Sequence, residues 1–138
     1  YGYAVETVEK LDLREKTVVS PVVSMSREES FVYDEPGSGS AAEEIKEVLP
    51  ETASLAGAFH NVAAGRLADP DAELGVDIAV FGDEDAKDET LELIETVEGM
   101  RGLDVGGFEV APQVEAITPL LINVGMKNGM KDLGIRFV

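Results

Sequence analysis

His60 is the only histidine among the 138 residues, and there is no cysteine. Those two counts exclude thiolate nucleophiles, disulfides, cysteine metal sites and any site that needs two imidazoles. A Ser-His-Asp relay would have to be built on His60 alone, and no G-x-S-x-G elbow supplies its serine. On these counts neither a thiolate nor a triad supplies a catalytic side chain, and no cysteine or multi-histidine metal site is expected. By residue type alone, a lone histidine after an apolar run such as Ser54 to Phe59 is more often structural than functional. Its place argues the other way, because a polar residue just beyond the carboxyl end of a strand in an α/β sheet stands on the edge where ligands bind. Ser20 and Pro21 hold the equivalent place after the β-branched run that starts at Thr17, so two strand ends point at one crevice.

Two further motifs have duller readings. Gly37-Ser38-Gly39-Ser40-Ala41-Ala42 matches the G-x-G-x-x-A form of the dinucleotide fingerprint, whose glycines let a backbone turn approach pyrophosphate at a helix N-terminus. That fingerprint should follow a buried strand directly, whereas here Asp34, Glu35 and Pro36 intervene and bring two negative charges to the phosphate position. The stretch reads as a surface loop with a helix cap. Gly82-Asp83-Glu84-Asp85 offers oxygen ligands for a hard cation but lacks the spacing of a calcium loop. Carboxylates at a helix start are favoured by its dipole, so these are read as capping.

The elements that must carry these residues follow from periodicity. Ala4, Val5, Val8 and Leu11 recur at helical spacing. Thr17 to Val23 is a continuous β-branched run, as in a strand buried on both faces, with Pro21 marking its end. A polar loop runs from Ser24 to Gly39 with a short strand at Phe31 to Tyr33; a helix then starts with Ser40 as N-cap and Glu43 completing a capping box, and stops near Pro50. Ser54 to Phe59 is a second strand, His60 to Leu67 a loop with one helical turn, Asp77 to Phe81 a third strand, and Ala86 to Val97 an amphipathic helix. A short strand near Leu103 to Val105 precedes a long final helix from about Pro112 to Gly129. Strand and helix alternate, which predicts an α/β fold with a mainly parallel sheet and right-handed crossovers.

Composition narrows the partners. The chain carries 28 Asp and Glu against 11 Lys and Arg, a formal net charge of -17. None of the basic residues forms a run, so nucleic acid and anionic membrane surfaces are not expected partners. The longest nearly apolar stretch, Ala116 to Met126, is interrupted by Thr118, Pro119, Asn123 and Gly125 and falls short of the roughly 20 residues a membrane span needs. Excess carboxylate with few lysines suits concentrated salt, where the Debye length shrinks to about 3 Å and self-repulsion is screened. A cytoplasmic protein of a halophilic archaeon is the expected source, with an ordinary acidic cytosolic protein as the alternative. In the final helix, Val114, Ile117, Leu121 and Val124 form a stripe while Leu120, Ile122 and Met126 add apolar surface on other faces. One small sheet cannot cover such a helix, so a homodimer through it is expected.

Several segments share an ordered likeness. Arg14-Glu15-Lys16-Thr17-Val18-Val19-Ser20-Pro21-Val22-Val23, Ser40-Ala41-Ala42-Glu43-Glu44-Ile45, Ala58-Phe59-His60-Asn61-Val62-Ala63-Ala64-Gly65-Arg66, Gly82-Asp83, Glu115-Ala116-Ile117-Thr118-Pro119-Leu120-Leu121-Ile122-Asn123, Asn128-Gly129-Met130 and Leu133-Gly134-Ile135-Arg136-Phe137 occur in this order. The set resembles the second half of the NADPH-dependent reductases of the deazaflavin coenzyme F-420, over nearly the whole chain. The resemblance implies hydride transfer between NADP(H) and F-420, with the nicotinamide over the carboxyl edge of the sheet and the deazaflavin stacked on it from a pocket closed by the C-terminal helical region. It places Ser20, Pro21, Val22, His60, Asn61 and Val62 around hydride transfer and Leu121, Val124 and Met126 beside the deazaflavin. It divides the chain into a partial Rossmann-like α/β region, 1–107, and a helical dimerisation and deazaflavin-side region, 108–138. That family opens with a glycine-rich strand, turn and helix not found in these residues, so a fragment inactive on its own is expected. The alternatives are a non-catalytic dimerisation or ligand-binding module derived from the family, or an imine reductase of the pyrroline-carboxylate type.

Overall fold

The computed structural model describes residues 1–138. A four-stranded sheet is built from β1 (Thr17–Ser20), β4 (Ser54–Gly57), β5 (Val76–Gly82) and β6 (Met100–Gly106), in that spatial order. Between β1 and β4 in the chain, β2 (Met25–Arg27) and β3 (Phe31–Tyr33) form a separate antiparallel hairpin. The helices are α1 (Gly2–Val8), α2 (Ala41–Val48), α3 (Ala64–Leu67), α4 (Glu84–Glu95), α5 (Ala111–Glu115) and α6 (Ile117–Asn128).

β5 is the spine of the sheet. All seven of its residues are buried, as expected of a strand covered on both faces. Ala79 and Phe81 point into a cluster with Ile45 of α2, Leu49 just after it, and Ala111 and Val114 of α5. Ile78 and Val80 point the other way, onto Ala86 and Ile94 of α4. Gly57 is forced by this packing: a Cβ there would lie 2.0 Å from Cζ of Phe81.

Two of the three strand pairings are parallel, β1 with β4 and β5 with β6, while β4 and β5 run antiparallel. The antiparallel step has a simple cause. A parallel return needs a crossover of a dozen or more residues, usually a helix, and the link between β4 and β5 contains only the four-residue α3. In consequence the start of β5 lies at the same edge of the sheet as the carboxyl ends of β1 and β4.

The expected long last helix is interrupted at Ala116, which closes α5 and opens α6. Pro119 explains the break, because it has no N–H for the carbonyl four residues back and its ring crowds that carbonyl. Gly129 ends α6 in the left-handed conformation, φ 65°, as a C-terminal glycine should. Only Pro119 of α6 is buried, although Leu120, Leu121, Ile122, Val124 and Met126 are all apolar. No helix is long and apolar enough to cross a membrane.

Candidate functional site

β1 and β4 end side by side, with Ser20 opposite Gly57. Past that edge the chain turns sharply, and Phe59 takes a left-handed conformation at φ 68°. Such a conformation is costly for a residue with a Cβ and recurs at functional sites. It turns His60 inward, where the imidazole stacks on Phe81 at 5.7 Å between ring centroids. His60 is 4% exposed, yet neither ring nitrogen has a hydrogen-bond partner. Burial pulls its pKa down from 6.5 to about 4, and the nearby backbone of Val22 offsets this slightly without reaching hydrogen-bond geometry. The ring is therefore neutral at pH 7, with one N–H donor and one bare nitrogen, both buried and unpaired.

His60 borders a cavity of about 450 Å³, within the range of small-molecule sites. Val62, Leu121 and Met126 form apolar walls, Thr118 contributes a hydroxyl, and Lys131 and Asp132 supply charges of both signs. Thr118 Oγ1 donates to the carbonyl of His60 at 2.6 Å, which pins α6 to the turn.

Of the residues singled out in the sequence, His60, Val62, Leu121 and Met126 meet in this cavity. Asn61 turns away and donates through its side-chain amide to the carbonyl of Asp77. Ser20 is buried at the neighbouring strand end, its Oγ accepting from the N–H of Val22 at 3.2 Å, while Pro21 is exposed beside it. Val124 does not line the cavity. Residues 129–133 supply a wall that sequence reasoning missed, because it is made by the turn after α6, and periodicity gives no sign of where a turn folds back.

The glycine-rich stretch at 37–42 holds no phosphate site. The N–H groups of Ala41 and Ala42, which open α2, both donate to the carboxylate of Glu115 at 3.0 Å. Ser40 caps the same helix by accepting from Glu43 N–H at 3.1 Å. The protein has filled its own anion site with a side chain from 74 residues away.

The site is thus an α/β sheet with an apolar cavity and an unpaired imidazole at its strand ends, the edge at which such sheets bind ligands. No family model matches the chain. Curated relatives do: it is 37% identical to the F-420-dependent NADP reductase of Methanocaldococcus jannaschii over 99% of the chain and 63% of that protein. With the reductase of the same name from Methanothermobacter marburgensis it shares 41% over 71% of the chain and 45% of the relative, and with that from Methanothermobacter thermautotrophicus 34% over 90% and 56%. Among solved structures, a proposed F-420-dependent NADP reductase from Arthrobacter sp. superposes with TM-score 0.77 at 19% identity, over 91% of this chain and 59% of that one. A hypothetical protein from Sinorhizobium meliloti gives 0.64 at 21%, over 78% and 54%; both share the fold. The chain belongs to the F-420-dependent NADP reductase family and spans about half to two thirds of the length of these relatives.

Proposed function

We propose that the chain is the deazaflavin-side portion of an enzyme that transfers hydride between NADP(H) and coenzyme F-420. The cavity beside His60 carries this reading: it sits at paired strand ends, is large enough for a flat heterocycle, and is walled by Val62, Leu121 and Met126 with a buried, unpaired imidazole at its border. Hydride transfer between two organic cofactors asks no side chain to form a covalent bond; the protein supplies position and electrostatics. In this reading His60, Val62, Leu121 and Met126 receive the deazaflavin, and Ser20, Pro21, Val22 and Asn61 shape the adjoining nicotinamide side. Val124 supports α6 from outside the cavity.

NADP(H) needs backbone N–H groups free at a helix N-terminus. Here the one candidate turn is capped by Glu115. Activity is thus assigned to this portion together with a glycine-rich nucleotide segment, which would extend the sheet at the free edge of β1. Val18 and Val19 are half-buried there, on opposite faces, as in a strand made for a sheet interior. We assign 1–107 to the nucleotide side and 108–138 to the deazaflavin side, and the apolar face of α6 to a homodimer contact. The charge of -17 suits a saline cytoplasm. Fluorescence titration with F-420 and an NADPH oxidation assay test the function together. Saturable binding of F-420 without turnover by the chain alone is expected, with turnover once the nucleotide segment is supplied. Absence of F-420 binding in both forms refutes the reading.

A further inference from the structure

Asp77 is the second residue of β5, at the sheet edge that carries the cavity, and it uses every polar group it has. Its carboxylate accepts Nε and Nη2 of Arg101 at 2.9 and 2.6 Å, and also the N–H of Phe137 at 2.6 Å. Its own N–H donates to the carbonyl of Ile135 at 2.8 Å, and its carbonyl accepts the side-chain amide of Asn61. Arg101, its neighbour across the β5–β6 ladder, also donates from Nη2 to the carbonyl of Phe137 at 2.9 Å. Gly134 packs against Val76 so tightly that a Cβ would lie 2.4 Å from it. Three segments thus meet on one carboxylate-bearing residue: the turn that carries His60, the start of β5, and the tail 134–137.

This junction adjoins the cavity through the chain, since Asn61 follows His60 and Gly134 follows Leu133, both lining residues. The wall at 129–133 is anchored on one side by α6 and on the other by the tail that Asp77 and Arg101 grip, with one further bond from Arg66 Nη1 to the carbonyl of Asp132 at 3.5 Å. A buried carboxylate is an expensive way to fasten a chain end, since it must be desolvated and fully partnered. An apolar residue could fill the space but could not hold two backbone groups of the tail in register.

We propose that Asp77 and Arg101 are positioning residues for the ligand cavity: their ion pair clamps the tail so that 129–133 closes over His60 and keeps the ring dry. The proposal rests on reading the cavity as the deazaflavin site. Without the clamp the tail swings free, water reaches the imidazole, and the apolar wall that a flat ligand would stack against is lost.

Two variants of the full chain test it. Arg101→Gln removes the ion pair, and the double variant Asp77→Asn with Arg101→Gln removes it without stranding a buried charge, which guards against simple unfolding. Three readouts are taken: hydrogen exchange of the Asp77 and Phe137 amides, the NMR titration of the single histidine, and F-420 binding by fluorescence. The only charged groups lining the cavity near His60, Lys131 and Asp132, remain in both variants. The expected results are fast exchange at both amides, a His60 pKa raised by about one unit or more as water enters, and F-420 bound about tenfold more weakly. Arg101→Lys, which keeps the charge and one donor, should recover much of each. Slow exchange in the folded variants, or free amides with an unmoved His60 titration, overturns the proposal. A wild-type chain that does not bind F-420, alongside variants in which His60 still shifts, removes the ligand reading and leaves the clamp standing.

Discussion

Replacing His60 with Gln should abolish one defined part of the pH dependence of stability. In the unfolded chain the imidazole titrates near 6.5, and in the native cavity burial lowers this to about 4. Above pH 6.5 both states hold the ring neutral and it contributes nothing to the difference. As pH falls below 6.5 the unfolded state takes up a proton that the native state refuses, so stability declines until the native ring also protonates near pH 4. The linkage relation gives a loss of about 2 kcal/mol by about pH 5 and about 3 kcal/mol by about pH 4, with little at pH 7.5. Carboxylates titrate over the lower part of this range as well, so the informative quantity is the difference between wild type and variant. Urea unfolding of both proteins in the same concentrated potassium chloride, at about pH 7.5 and about pH 5, should show the variant gaining about 2 kcal/mol relative to wild type on acidification. A gap that is the same at both pH values, or a histidine NMR signal that titrates near 6.5 in the folded protein, would refute the claim that this ring is held dry and unpaired.

Other outcomes follow from neighbouring contacts. Glu115 caps α2, accepts from the hydroxyl of Tyr33 at 3.2 Å and is fully buried, and desolvation raises its pKa despite those bonds. Glu115→Ala strands the N–H groups of Ala41 and Ala42, while the Tyr33 hydroxyl keeps the carbonyl of Gly39, and should cost about 2–4 kcal/mol in chemical denaturation, whereas Glu115→Gln, which keeps an acceptor, should cost less than half of that; equal losses would discredit the capping role. Leu120 is 57% exposed on α6, so Leu120→Asp should be harmless to a monomer but should dissociate a dimer buried on that face. Light scattering at tens of micromolar decides, and a wild-type chain that is monomeric and well folded refutes the dimer. Finally, thermal midpoints should climb by several degrees between dilute buffer and molar potassium chloride as carboxylate repulsion is screened; melting independent of salt counts against a saline setting.

Local chemistry was legible in this sequence wherever it decided structure by itself. The continuous apolar run at 78–81 marked β5 because both faces of that strand are covered, and Ser40 with Glu43 marked the start of α2 because a cap is settled within four residues. His60 could be placed at a ligand edge for the same reason: only the end of β4 was needed. What could not be read depended on distant partners. Glu115 looked like one more charge on a helix, and nothing near it in sequence reveals that α2 would draw it inside. Pro119 was present in the expected helix, but its effect was outweighed in the reading by the apolar stripe running through it. The antiparallel β4–β5 step was hidden because α3 has the residues of a helix but not the length of a crossover. The cavity unites both kinds of information. Its histidine is set by a local turn, whereas its far wall depends on a tail held by an aspartate 60 residues earlier. A change in that tail should therefore reach the ligand site as surely as a change in His60, without altering a single side chain that lines it.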